Sequence, residues 1–305
     1  MANPSAGKAK KRASKSPIVE RIEPPDPFSR KNIRQMAVRL GLPLAAVWVL
    51  GGCIAAISQS KTTMGFALGI PAVITIALAG LVIWAVRQAK KAKGVAGILS
   101  KVETAADRKA AIEEIEQNYG KKDPAAIFAK AQLLMQEDPR KALEVLEQID
   151  LGKVLGPVAD EARGQRAMIH LLLGEVTPAR DLADGIDLSR QQDPKARAMM
   201  AGVIAEAWAR TGQAKKASET IELFNVDDPE YAQIAAQLHR ARAYVYAATG
   251  DVKQMRRSLK RLGDQDARLL AGFMSKRTHP LLQKEAKKLL EQSGQVPRKM
   301  VVQRR

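Results

Sequence analysis

Cysteine, histidine and aromatic residues are scarce in this chain, and each scarcity excludes something. Cys53 is the only cysteine among 305 residues, so no intramolecular disulfide can form, which suits a reducing compartment. The three histidines, His170, His239 and His279, stand without a second His, Cys or carboxylate at metal-ligand spacing. Phosphate-cradling Walker A loops, glycine-rich dinucleotide fingerprints and serine elbows are missing. So are convincing strands, which removes the usual nucleotide-binding scaffolds. Aromatic residues are 4% of the chain, and Trp208, Tyr231, Tyr244 and Tyr246 read as packing residues rather than a substrate cage. Neither an enzyme nor a cofactor nor a metal is expected.

Two stretches lack charge altogether, Leu40–Ser60 and Thr62–Val86, with Lys61 alone between them. About 20 apolar residues suffice for a helix to cross a bilayer, so both read as transmembrane helices, residues 40–60 and 62–86, joined as a hairpin. Neither contains an ionisable side chain of the kind transport pathways and proton relays need. Basic residues flank both outer ends: Arg21, Arg30, Lys31, Arg34 and Arg39 before, Arg87, Lys90, Lys91, Lys93 and Lys101 after. Cytoplasmic flanks carry such an excess, which places both termini in the cytoplasm, with Trp84 at headgroup level. Gly51, Gly52 and Ala56 on the first span, and the Gly65/Gly69 pair on the second, are expected to let the two spans pack on each other. Pro71 is expected to kink the second span or mark its start. Leu50-Gly51-Gly52-Cys53 loosely resembles a lipidation box, but some 39 polar residues precede the apolar run, unlike a cleaved signal.

The net charge of +18 suggests nucleic acid until it is partitioned. Residues 1–39 hold ten basic and three acidic side chains, whereas residues 94–295 hold 31 and 29. The excess therefore sits in the tails and membrane flanks, where anionic lipid headgroups account for it. One local exception is Asp251–Leu290, with eleven basic residues against four acidic. Within it Arg256, Arg257, Lys260 and Arg261 share a helical face opposite Met255, Leu259 and Leu262. This is a candidate docking patch for an acidic partner, lipid headgroups or nucleic acid, or simply a solvated face. Phe273 is its only aromatic residue, so stacking of bases there would be poor.

Domain organisation follows. Residues 1–27 are basic and proline-rich, expected to be disordered, with Ser14 and Ser16 in a basic setting open to phosphorylation. Residues 28–39 suggest a juxtamembrane amphipathic helix, 87–103 a basic linker, 104–293 a helical repeat domain and 294–305 a basic tail. In the repeat domain apolar residues keep the period of an α-helix. Asp-Pro pairs at 123–124, 138–139, 193–194 and 228–229 read as helix starts, and Gly174, Gly212 and Gly250 as helix ends. Glu137 and these three glycines stand at intervals of about 38 residues, within the range of helical repeat proteins. Ala142, Ala179, Ala217 and Met255 follow in register, then Leu146, Ala183, Ile221 and Leu259. A helix-turn-helix unit repeating at this spacing marks an α-solenoid.

Ala205, Trp208, Gly212, Ala217, Ile221 and Pro229, followed by Ala243, Tyr246 and Gly250, resemble the tetratricopeptide repeat in degenerate form. The unit here is longer than that family's, which has about 34 residues, and Met255 stands where the family places alanine. The resemblance covers about residues 124–263. It implies stacked helix pairs with a concave face that holds a peptide or protein segment. Some family members grip acidic tails through basic residues on first helices, where Arg163, Arg166, Arg197, Arg240 and Arg242 lie here. The expectation is an all-α, membrane-anchored scaffold that binds a partner protein at the cytoplasmic face of a bacterial inner membrane. A membrane-protein assembly accessory acting through the hairpin is the alternative, then a nucleic-acid or acidic-partner tether. A helper role in a biosynthetic pathway is a further option, because one haem-associated family shares the order of parts.

Overall fold

A computed structural model describes residues 30–57, 60–275 and 277–294. The N-terminal tail with Ser14 and Ser16, and all of the basic tail beyond Gly294, lie outside the described residues. Twelve α-helices and three 3-10 segments, with no strand, account for the ordered structure among the described residues. The chain divides into two compact units after Gln88.

In the first unit α1 runs from Arg30 to Ile57 as one helix with Pro43 inside it. The expected juxtamembrane helix and first span are thus a single element, because no breaker separates Arg39 from Leu40. The second helix, α2, spans Lys61–Leu99 without interruption, so most of the expected basic linker is helical too. Alanine, lysine, arginine and glutamine favour helix there. Its segment Lys61–Trp84 has a mean hydropathy of 2.5 and is the one helix among the described residues long and apolar enough to cross a membrane. Gly41–Ile57 is apolar but shorter.

Pro71 neither starts nor ends α2, but it leaves the Ala67 carbonyl without its helical donor. That carbonyl is where α1 crosses: a Cβ at Gly51 would lie 2.4 Å from Ala67 O and 3.0 Å from Pro71 Cγ. Nearby, Trp48 Nε1 donates to Thr75 Oγ1 at 2.9 Å, and Thr75 Oγ1 donates to Pro71 O at 2.7 Å. The other small residues do not face the partner helix. Added Cβ atoms at Gly52, Gly65 and Gly69 would meet nothing within 4 Å, and Ala56 is exposed. The expectation that Gly65/Gly69 serves hairpin packing is therefore corrected: of these small residues, the crossing uses Gly51.

The second unit is built from helix pairs. Antiparallel partners α4 (Pro124–Leu134) and α5 (Pro139–Leu146), α6 (Gly156–Leu173) and α7 (Val176–Asp184), α8 (Pro194–Arg210) and α9 (Ala214–Ile221), and α10 (Ala235–Thr249) and α11 (Val252–Gln265) pack on each other. The first helices α6, α8 and α10 also pack side by side. Asp123, Asp138 and Asp193 accept hydrogen bonds from backbone N–H groups of α4, α5 and α8, each with proline at the first helical position. Asp228 does the same for a 3-10 segment, Pro229–Ile234, because the chain tightens before α10 begins. Gly174, Gly212 and Gly250 all have φ between 77° and 86°, the left-handed region that other residues enter at a cost of about 1–2 kcal/mol.

Small side chains set the spacing inside each pair. Ala142, Ala179 and Ala217 are fully buried, as is Met255 where the fourth alanine would stand. Ends are covered by α3 (Ala105–Asn118), opened by a Thr104–Asp107 capping box, and by α12 (Pro280–Gln292) with a preceding 3-10 segment, Ala267–Phe273. Leu270, Phe273, Leu282 and Leu290 close the core at that end.

Candidate functional site

Repeat-signature residues form the internal frame of the second unit. Ala205 and Ala243 are fully buried where α8 and α10 pack, and Ala217 and Ile221 sit in the same core. Pro229 opens the 3-10 segment at the Asp228 cap.

Trp208 and Tyr246, however, are more than packing residues. Trp208 Nε1 donates to Asp184 Oδ1 at 2.7 Å, and Tyr246 Oη donates to Glu222 Oε1 at 2.5 Å. From the first bond to the second, donor and acceptor both advance by one repeat unit. Each bond ties a first helix to the end of the preceding pair's second helix, so the same staple recurs at successive steps. Burial, and secondarily the Glu222 hydrogen bond, push the Tyr246 phenol up to about 12. Burial opposes ionisation of Asp184, yet hydrogen bonds from Trp208 and Arg180 hold it below the ordinary carboxylate value. One period earlier stands His170, which pairs with Glu175 at 2.8 Å instead.

The arginines that the family resemblance suggested for an acidic-tail clamp are turned to internal use. Arg166 donates to Leu146 O and Ile149 O at the end of α5, and Arg242 donates to Phe224 O beyond α9. Arg197 holds Gln191 O, and Arg163 pairs with the buried Asp160 at 2.9 Å. Arg240 and Arg210 both bind the buried Glu206 at 3.0 Å, and both lie over the Tyr244 ring. All five arginines are thus engaged within the chain: Arg166 and Arg242 supply donors to orphaned carbonyls at the ends of short second helices, Arg197 holds the Gln191 carbonyl, and Arg163 and Arg240 pair with buried carboxylates.

The basic patch of α11 is present on the surface. Met255, Ser258, Leu259 and Leu262 are buried, while Arg256, Arg257, Lys260 and Arg261 are exposed. Arg256 is engaged by Glu285 at 2.7 Å, and Arg257 and Arg261 each lie 3.9 Å from Asp227. The patch is thus partly neutralised by its own neighbours. His239 is buried close by, and burial first and Arg242 second lower its pKa. No group of three His, Cys, Asp or Glu able to hold a metal occurs among the described residues.

A feature with no motif lies on the open side of the first-helix layer. Met168 from α6, with Met199 and Val203 from α8, borders a shallow cleft of about 10 Å3, room for no more than one water, that also reaches Glu161 and Gln165. Burial raises the pKa of Glu161, with the Gln165 amide at 3.2 Å as its hydrogen-bond partner. Methionine adapts to irregular partner surfaces, and a half-buried carboxylate without a cation suits a basic group arriving from elsewhere. Spacing alone could not reveal this cleft, since its residues come from two helices.

The chain matches no family model, no curated protein and no solved structure.

Proposed function

We propose that this chain is a membrane-anchored adaptor. In this reading α1 and the apolar part of α2 form a two-span hairpin in a bacterial inner membrane, both termini lie in the cytoplasm, and the helix pairs form a tetratricopeptide-like solenoid that binds a partner protein. The observation that carries it is the cleft of Met168, Met199 and Val203 beside Glu161, an adaptable apolar surface with one uncompensated carboxylate. A partner segment would lie across this surface rather than enter it, with apolar side chains on the methionines and a lysine or arginine reaching Glu161. Support for the anchor comes from exposure. Among the described residues, eighteen of the 23 exposed large apolar side chains fall between Val38 and Trp84, more than a soluble surface tolerates. Tethering raises the local concentration of a partner, so each contact can be individually weak.

The test is photocrosslinking from position 199 in native membranes, with position 219 on α9 as the control. A discrete adduct from 199 that disappears with Glu161→Lys, and does not form from 219, is the expected result. Absence of any adduct from 199, or one unaffected by the charge reversal, refutes the adaptor reading.

A second reading, a membrane-assembly accessory acting through the hairpin, is favoured by one observation. Gly65, Phe66, Gly69 and Ile70 border an open apolar groove on α2, where another transmembrane helix could approach closely. Replacing the hairpin by an unrelated one separates the two readings, since only an adaptor should survive the exchange.

A further inference from the structure

The end of α2 and the facing side of α3 enclose a groove of about 510 Å3. Lys90, Lys93 and Lys101 border it on one side, and Asn118 and Tyr119 on the other. Its walls are held from behind, because Val95 and Ile98 of α2 share a core with Ala111 and Ile115 of α3. Two glycines shape the interior. A Cβ at Gly94 would lie 2.3 Å from the Tyr119 hydroxyl, so that hydroxyl rests against the α2 backbone. A Cβ at Gly97 would meet nothing within 4 Å, so the glycine leaves the floor open.

Charge around the groove is one-sided. A fourth lysine at its edge, Lys91, is taken by Asp123 at 2.8 Å. Lys90 and Lys101 have no ion-pair partner among the described residues. Glu114 is the single carboxylate at the rim among the described residues. Lysines along one wall of the groove, with an amide and a hydroxyl on the other, offer the donors that the oxygens of a phosphate group accept from.

Position along the chain selects the source of that phosphate. Lys90 follows Trp84, the last residue of the apolar segment, by six residues, which span at most about 20 Å even when fully extended. We propose that this groove is a headgroup site for an anionic phospholipid, its phosphate held at the Lys90 end beside Asn118 and Tyr119, and the rest of the headgroup directed along the groove toward Lys101. The inference rests on the membrane-anchored reading, and it adds a defined lipid to what was diffuse attraction between basic flanks and a negative leaflet.

Native mass spectrometry of the full chain in neutral detergent, titrated with phosphatidylglycerol or phosphatidylcholine, tests it. One phosphatidylglycerol should bind at least tenfold more tightly than phosphatidylcholine. Lys90→Gln/Lys93→Gln/Lys101→Gln should abolish this preference, and so should Gly97→Leu, which fills the groove without changing charge. Lys121→Gln/Lys122→Gln/Lys141→Gln, an equal charge change outside the groove, should leave it intact. Equal loss in that control, or undiminished binding in Gly97→Leu, overturns the proposal. So does displacement of the lipid by millimolar inorganic phosphate, which would make the ligand a free anion. Carbonate extraction of native membranes keeps the two readings apart. Release of the chain into the supernatant defeats the anchor, whereas retention with failed lipid discrimination defeats the groove alone.

Discussion

Tyr246 shows how a residue read as a signature can carry a different load. Its ring fills the position where the repeat wants a large side chain, but its hydroxyl also fastens two helix pairs through Glu222. Tyr246→Phe keeps the ring and loses the bond, so the urea midpoint should fall by the equivalent of about 1 kcal/mol, because Glu222 is exposed and can turn to water. An unfolded tyrosine ionises near 10, whereas the folded phenol holds its proton until about 12. The folded state therefore binds more protons in that window, and its contribution is present below pH 10 and lost as pH rises through 12. Wild type should lose stability over this range more steeply than Tyr246→Phe, as denaturation midpoints at pH 9 and pH 11.5 will show. Equal slopes would mean that the bond is absent in solution. Arginine gives the same lesson with opposite sign. Arg166 and Arg242, two periods apart, look like surface charge in the sequence, yet both finish the ends of short helices.

Helices are the level at which sequence patterns were most legible. Asp-Pro starts and glycine ends appear where their local chemistry demands, because caps and left-handed turns depend on the residue and its immediate neighbours. Charge-based boundaries were less faithful. The segment after Trp84 reads as a linker by its lysines, but Val95 and Ile98 give it an apolar face to bury, so it continues as helix. Within the hairpin, spacing pointed to Gly65 and Gly69, while the crossing actually falls at Gly51, opposite the carbonyl that Pro71 leaves free. In a Cys53→Ser background, a Trp48→Cys/Thr75→Cys pair should be joined within the chain by a short bifunctional thiol crosslinker, since the indole of Trp48 spans the gap to Thr75. Adding Gly51→Leu should sharply reduce the crosslink, and adding Gly65→Leu should not. If Gly65→Leu is the one that blocks the crosslink, the helices cross elsewhere.

At the scale of the whole molecule the prediction concerns sidedness. Basic flanks at both ends of the apolar region argue for termini on the same, cytoplasmic side. Lys215→Cys, again with Cys53→Ser, puts a thiol on one of the most exposed positions of the second unit (92% accessible). A membrane-impermeant thiol reagent should label it only after cells are permeabilised. Labelling of intact cells would reverse the orientation and with it the cytoplasmic adaptor. The cleft beside Glu161 belongs to this scale as well. Met168, Met199 and Glu161 carry no pattern in the chain, because their meeting depends on how α6 and α8 pack.

Composition and periodicity alone established that the chain is helical, that its apolar stretch comes early, and that helix pairs recur at a nearly constant interval. Those properties are written in short-range chemistry: hydrophobic period, capping side chains and glycine's access to positive φ. Which glycine makes the helix crossing, which arginines are spent on carbonyls and which lysines share a groove are questions of long-range packing. They were decided only when the helices came together, since a side chain's partners lie far away along the chain.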